Sequence, residues 1–253
     1  DLGTDGGDLT EAFTSLTPSS GNESDVANDE FIYVGVTGGT ETISSDKTDY
    51  TLSIASTGTV DDLNTNTSVA QTSYVLSTDG AAPIVISAST SDDSNDNGRI
   101  DEIAITFSEA IDDGNSTLDA TTFTLSDSYT VSGTVTGTGD DNAVTINITE
   151  IVSGWDTDMT PDVTLVNGKV SDGVNSLTSS QLFTGTTDGA APVLVSSVTL
   201  DNNNDGLVDY VKAEFSESVS DASVSGSDFV ASIAADDLGT DGGDLTEAFT
   251  SLT

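Results

Sequence analysis

Two stretches of the chain carry oxygen side chains at the spacing that wraps a cation. The first reads Asp93-Ser-Asn95-Asp-Asn97-Gly98-Arg99-Ile100-Asp101 and the second Asp201-Asn-Asn203-Asn-Asp205-Gly206-Leu207-Val208-Asp209. Carboxylates or amides fall at loop positions 1, 3, 5 and 9, glycine at position 6 permits the tight turn, and position 7 offers a backbone carbonyl. The expected metal ligands are Asp93, Asn95, Asn97, Arg99 and Asp101 in one loop and Asp201, Asn203, Asp205, Leu207 and Asp209 in the other, with Arg99 and Leu207 giving only their carbonyls. Hard oxygen donors in this order suit Ca2+; sodium suits them less, as does Mg2+, which prefers to keep several waters. Position 12, where a bidentate glutamate closes a full helix-flanked calcium loop, is Ala104 or Lys212. A weaker site follows, or one completed by water or Asp92. The competing reading is a solvated turn, because Asn and Asp dominate turns whether or not a metal is present. Two loops of the same spacing at homologous places favour the metal.

Such loops need strands to hold their ends. Ile103, Ile105 and Phe107 alternate with Ala104 and Thr106, and Val211, Ala213 and Phe215 alternate with Lys212 and Glu214. Val144, Ile146 and Ile148 alternate likewise with Thr145 and Asn147. A period of two buries one face and wets the other. Short runs of this kind, separated by Gly, Asp, Asn and Ser, predict antiparallel β-sandwich modules, with Thr and Ser on the outward positions. Ile100 and Val208, at loop position 8, are expected to point into the core and clamp each loop to its sandwich. One segment breaks the pattern: Asp8-Leu-Thr-Glu11, repeated as Asp244-Leu-Thr-Glu247, has capping-box spacing, and a short helix is expected there, with an extra edge strand as the alternative.

The chain is repetitive at two levels. Residues 1–17 recur without a change as residues 237–253, an offset of 236. The chain therefore reads as a window cut from a longer tandem array. Within that period Asp79-Gly-Ala-Ala-Pro83 matches Asp188-Gly-Ala-Ala-Pro192, the Phe-Ser-Glu ending at Glu109 matches the one ending at Glu217, and Gly58-Thr-Val-Asp-Asp62 reads like Gly168-Lys-Val-Ser-Asp172. Two homologous modules alternate. Residues 81–189 are expected to form one complete module. Residues 1–80 are the C-terminal part of a second kind, and residues 190–253 the N-terminal part of its next copy, completed by the following repeat or by a neighbouring chain through strand complementation. The unchanged overlap favours covalent continuation.

Composition removes whole classes of function. Of 253 residues 44 are acidic and 4 basic, for a formal charge of −40, and there is no His and no Cys. No Ser-His-Asp or Cys-His triad, thiol chemistry, disulfide or ordinary zinc site can be built. Lys47, Arg99, Lys169 and Lys212 cannot neutralise a run of phosphates, so neither nucleic acid nor an anionic membrane surface is expected as a partner. No apolar stretch approaches the ~20 residues of a membrane span. The remaining clusters are less specific. Asp237, Asp241, Asp244 and Glu247 would make a third cation site or an ordinary turn. Asp156, Asp158 and Asp162 beside Trp155 suggest a carbohydrate platform, although a lone Trp in a sandwich is more often core. A carboxylate pair for glycoside hydrolysis can always be imagined among so many acids, which empties that signal, and no enzyme is expected.

The order Asp-Gly-Ala-Ala-Pro, strand, acidic loop, strand ending Phe-Ser-Glu, then Gly-x-Val-x-Asp resembles the bacterial Ig-like repeats of surface-layer proteins and giant adhesins. The acidic loops resemble those of dockerin and thrombospondin type 3 calcium repeats. The resemblance implies an all-β, extended array of tandem Ig-like antiparallel β-sandwich modules with calcium-loop insertions, extracellular or at the cell surface and non-catalytic. Its leading role would be a structural filament, stalk or sheath contacting its own neighbouring repeats. The alternative is an adhesin that grips a glycan or protein through the second module, which the insertion holding Asp8-Leu-Thr-Glu11 makes the longer of the two; a salt-adapted acidic hydrolase is a remote third. Asn97 at loop position 5 and the extra segment of the longer module depart from the pattern.

Overall fold

The computed structural model describes residues 51–52, 60, 63–68, 70, 75–76, 79–91, 95–137, 139–233 and 245–248. These fall into two compact units, one holding the described residues up to Ser91 with Asp101–Glu150 and Thr160–Gly189, the other 95–100 with Ile151–Met159 and the described residues from Ala190 on.

The first unit opens with a short pair, β1 (Thr51–Leu52) with β2 (Val75–Leu76). Its body is built on seven strands: β3 (Val85–Ser91), β4 (Glu102–Phe107), β5 (Phe123–Leu125), β6 (Val131–Gly137), β7 (Ala143–Ile148), β8 (Val163–Leu165) and β9 (Gln181–Phe183). One sheet has the order β3-β4-β7-β6 and the other β5-β8-β9, every pairing antiparallel. Beyond β9 the chain runs parallel to β3: the Thr187 N–H donates to the Ala88 carbonyl at 2.9 Å and the Thr90 N–H to the Thr187 carbonyl at 3.0 Å. The alternation read from the sequence sets what goes inside. Ile103, Ile105 and Phe107 of β4 and Val144, Ile146 and Ile148 of β7 are buried, with Phe123, Val163 and Leu165 from the other sheet. The rings of Phe107 and Phe123 meet at 6.5 Å between centroids. This is the antiparallel sandwich that the period-two pattern predicts.

The second unit contains β10 (Leu194–Leu200), β11 (Tyr210–Phe215), two 3-10 turns (Asp221–Ser223 and Gly226–Asp228), β12 (Val230–Ile233) and β13 (Leu245–Ala248). β10 pairs with β11 and β12 with β13, both antiparallel. The helix expected at Asp244-Leu-Thr-Glu247 is therefore a strand, and its first copy, at residues 8–11, lies outside the described residues. A capping box contributes about 1 kcal/mol, and a two-turn helix remains marginal without an apolar face to pack. The four-residue ladder from Val230↔Ala248 to Ile233↔Leu245 satisfies the same backbone groups in pairs. Among the described residues no helix is long and apolar enough to cross a membrane.

Candidate metal centres

In the second acidic loop the predicted ligands fold back on one another. Asp201 accepts the Asp205 N–H on Oδ1 at 3.2 Å and the Gly206 N–H on Oδ2 at 2.8 Å. Asp209 Oδ2 accepts the N–H groups of Asn202 and Asn203 at 2.8 and 3.2 Å. Asn203 Oδ1 takes the Asp205 N–H at 2.9 Å, and Asp205 Oδ1 takes the Leu207 N–H at 2.9 Å. Asp201, Asn203, Asp205 and Asp209 are thus gathered in one turn, while the Leu207 side chain stands in solvent.

The first loop repeats the inner links. Asn95 Oδ1 accepts the Asn97 N–H at 3.1 Å and Asn97 Oδ1 accepts the Arg99 N–H at 3.0 Å, as Asn203 and Asp205 do at the same steps of their loop. The backbone repeats too, with φ positive at position 4 (Asp96 +46°, Asn204 +61°) and at position 6 (Gly98 +81°, Gly206 +86°). An L side chain rarely adopts the position-6 conformation, which explains the glycine. Asp93, the first of the expected ligands, lies outside the described residues, as does Asp92. Asp101 leaves the loop as a ladder residue: its N–H donates to the Ser91 carbonyl at 3.2 Å and its carbonyl accepts the Ile148 N–H at 2.7 Å.

Around the first loop the second unit closes tightly. A Cβ on Gly98 would come within 2.8 Å of Val195 Cγ1, 3.1 Å of Ser216 Cβ and 3.3 Å of Trp155 Cε3. The Ile100 N–H donates to Asp156 Oδ1 at 3.1 Å, and the Asp156 N–H donates to the Gly98 carbonyl at 3.1 Å. The hydroxyls of Thr157 and Ser216, both buried, share a hydrogen bond of 2.7 Å. The Arg99 side chain is engaged as well: its Nε–H donates to the Ile151 carbonyl at 3.1 Å and its guanidinium carbon lies 4.9 Å from the Trp155 ring centroid.

Two expectations fail around these loops. Ile100 is fully buried, but Val208, its counterpart, is 62% exposed. Trp155 is not core: it is 42% exposed, with Arg99 over its ring. Of the acids near it in sequence, Asp156 is turned inward as an acceptor for the loop and Asp158 is exposed. Asp162, in the first unit, is half-buried, and its N–H donates to Ser126 Oγ at 2.8 Å. In the third acidic cluster, Asp237, Asp241 and Asp244 lie outside the described residues and Glu247 falls in β13.

A second kind of acidic group, in the first unit, has no counterpart among the sequence-predicted sites. Asp79, Glu109 and Asp172 bring carboxylate oxygens within 4.8 Å of one another. Burial works to raise the Asp172 pKa, but the N–H and side-chain amide of Asn175, the N–H of Val174 and a hydrogen bond with Asp79 outweigh it and hold this carboxyl below the usual range. The distances are 2.5 and 2.9 Å to Asn175 and 2.6 Å to Val174. Each of the three acids sits in a motif that the two modules share. The signal that could have found them is that Asp188, Glu217 and Asp62 occupy the same motif positions in the other module.

Residues 79–187 match the family model described as "Bacterial Ig-like domain", a span of 109 of the 253 residues. No curated protein and no solved structure matches the chain. Domains of the matched family are typically non-catalytic structural or adhesive modules and occur in bacterial surface proteins.

Proposed function

We propose that this chain is a structural segment of an extracellular filament, stalk or sheath, built from tandem Ig-like modules that calcium makes rigid and contacting its own neighbouring repeats head to tail. The observation that carries the reading is the seating of the first acidic loop. Gly98 and Thr157 pack in one compact unit with Val195 and Ser216, residues of the segment that the sequence assigns to the following module. A cation that orders this loop would order the start of the next repeat with it. The charge supplies the need: 44 carboxylates on one chain repel each other, and an ion bound only by the folded state offsets that repulsion. At a concentration 100 times its Kd, one such ion stabilises by about 2.7 kcal/mol.

The test is thermal unfolding of the chain in millimolar calcium and in excess chelator at constant ionic strength, alone and with Asp93→Ala and Asp201→Ala combined. A calcium-specific rise in Tm of about 5–10 °C is expected for each fully occupied site, and the double variant should lose the share that belongs to the loops. No calcium-dependent shift in the unaltered chain would sink the reading. A rise that survives intact in the double variant would move the cation off the loops. An adhesive role ranks second, favoured by the exposed Trp155 with Asp158 near it in sequence, and weakened because Asp156 is committed to the Ile100 N–H.

A further inference from the structure

We infer that Asp79, Glu109 and Asp172 form a separate calcium-binding clasp at one end of the first sandwich. Three stretches far apart in sequence meet there: the Asp-Gly-Ala-Ala-Pro entry, the residues that follow β4, and the turn after Val170. The ligand atoms of the three acids all lie within 4.8 Å of one another. A second observation points to a ligand. Glu109 has other interactions, but it is only 3% exposed and its Oε2 is buried without a hydrogen bond. A carboxylate oxygen removed from water is costly unless a donor or a cation replaces the water. Two more carboxylates beside it deepen the negative potential, and opposite charge is the physical remedy.

The hydrogen bond between Asp79 and Asp172 needs one proton between them, and a cation in the cluster would take the place of that proton. Asp172 accepts two backbone N–H groups and an amide, donors that favour the ionised form. Asp79 Oδ1 accepts the Ala81 N–H at 3.0 Å. The basic side chains described nearby in sequence are used elsewhere: Lys169 Nζ donates to Thr121 Oγ1 at 2.7 Å and Arg99 lies on Trp155. Three hard, anionic oxygen ligands from a flexible set of segments suit Ca2+, with its loose geometry and remaining positions for water, better than Mg2+, which demands a near-ideal octahedron. The neighbouring repeat carries the same device in its sequence. Glu217 ends the second Phe-Ser-Glu, its Oε1 is likewise buried without a hydrogen bond, and Asp188 opens the second Gly-Ala-Ala-Pro. The third counterpart, Asp62, lies outside the described residues.

The clasp differs from the acidic loops in position and in residues, so the two can be separated. The experiment is calorimetric calcium titration of the full chain with both loops disabled by Asp93→Ala and Asp201→Ala, compared with the same chain also carrying Glu109→Gln or Asp79→Asn. Glutamine keeps the shape of Glu109, and Asp79→Asn alters a residue outside the strands, so one of the two reports even where the other perturbs folding. Binding that survives loop disablement and weakens at least about tenfold in both added variants, with magnesium unable to displace calcium at equal concentration, supports the clasp. Unchanged affinity and stoichiometry in both variants overturns it. Equal competition by magnesium overturns the assignment to calcium. Failure of the loop reading would show instead as an unchanged calcium response after Asp93→Ala and Asp201→Ala.

Discussion

Two hairpins in this molecule have nearly the same local design and very different surroundings. In β3–β4 the register runs from Val85↔Phe107 to Ser91↔Glu102 with an irregularity after Val85; in β10–β11 it runs from Leu194↔Phe215 to Leu200↔Tyr210 with the irregularity after Leu194. The serine after each phenylalanine closes the same way. Ser108 Oγ accepts the Ile84 N–H and Ser216 Oγ accepts the Val193 N–H, while each serine's own N–H returns to that residue's carbonyl. Yet Ile103 is fully buried and its counterpart Val211 is 37% exposed. Pairing and bulge follow from local sequence, whereas burial depends on what is laid across the face.

The two hairpins should differ most at their phenylalanines. Phe107→Ala should cost about 3–5 kcal/mol in denaturant unfolding, because it empties a site between two sheets. Phe215→Ala should cost about 1–2 kcal/mol, since Phe215 is only half-buried, with Phe229 at 6.4 Å between ring centroids. Equal losses would mean that the second hairpin is covered in solution as deeply as the first.

The glycines at loop position 6 carry the same contrast in a smaller effect. Both have positive φ, so alanine strains either backbone by about 1–2 kcal/mol. Only at Gly98 would the added Cβ also meet Val195, Ser216 and Trp155, whereas Gly206 has open space. Gly98→Ala should therefore lower stability by about 3 kcal/mol and Gly206→Ala by about 1 kcal/mol, read as the shift in unfolding midpoint. A reversed order would remove the tight seating on which the proposed function rests.

The smallest effect is a pH dependence in the first unit. The hydroxyl and N–H of Thr121, at 2.6 and 2.7 Å, hold the Asp119 carboxyl below its ordinary range, with Lys169 adding to it. A carboxyl depressed in the folded state gives stability that is present above the unfolded-state pKa and lost as pH falls through the folded one. Melting temperature followed from neutral into the acid range should fall slightly less in Asp119→Asn than in the parent chain. Identical curves would show that this exposed group contributes nothing.

Much of the first sandwich is legible in the alternation of Ile103, Ile105 and Phe107 and of Val144, Ile146 and Ile148, because a strand with one wet face writes its burial into every second residue. The loops are legible as turns, and their glycines as positive-φ positions, for the same local reason. Trp155 misleads because its size argues for the core, and only the arrangement around Arg99 leaves its ring half exposed. Residues 245–248 mislead because a capping signal is short-range and says nothing of a strand lying ready to pair. The meeting of Asp79, Glu109 and Asp172 is only half written in the sequence: their motifs recur in the other module, but the three are separated by dozens of residues and no spacing rule brings them together.

The order of residues along the chain is enough to set the all-β class, the strand period, the repeat and the turn chemistry of the acidic loops, all of which rest on patterns readable along the chain. It took the folded arrangement to seal Ile100 while leaving Val208 bare, to turn Asp156 inward, and to bring three distant carboxylates into one small space. Burial and long-range electrostatics depend on distances in space that chain folding sets, and those distances are not written in any short stretch of the chain.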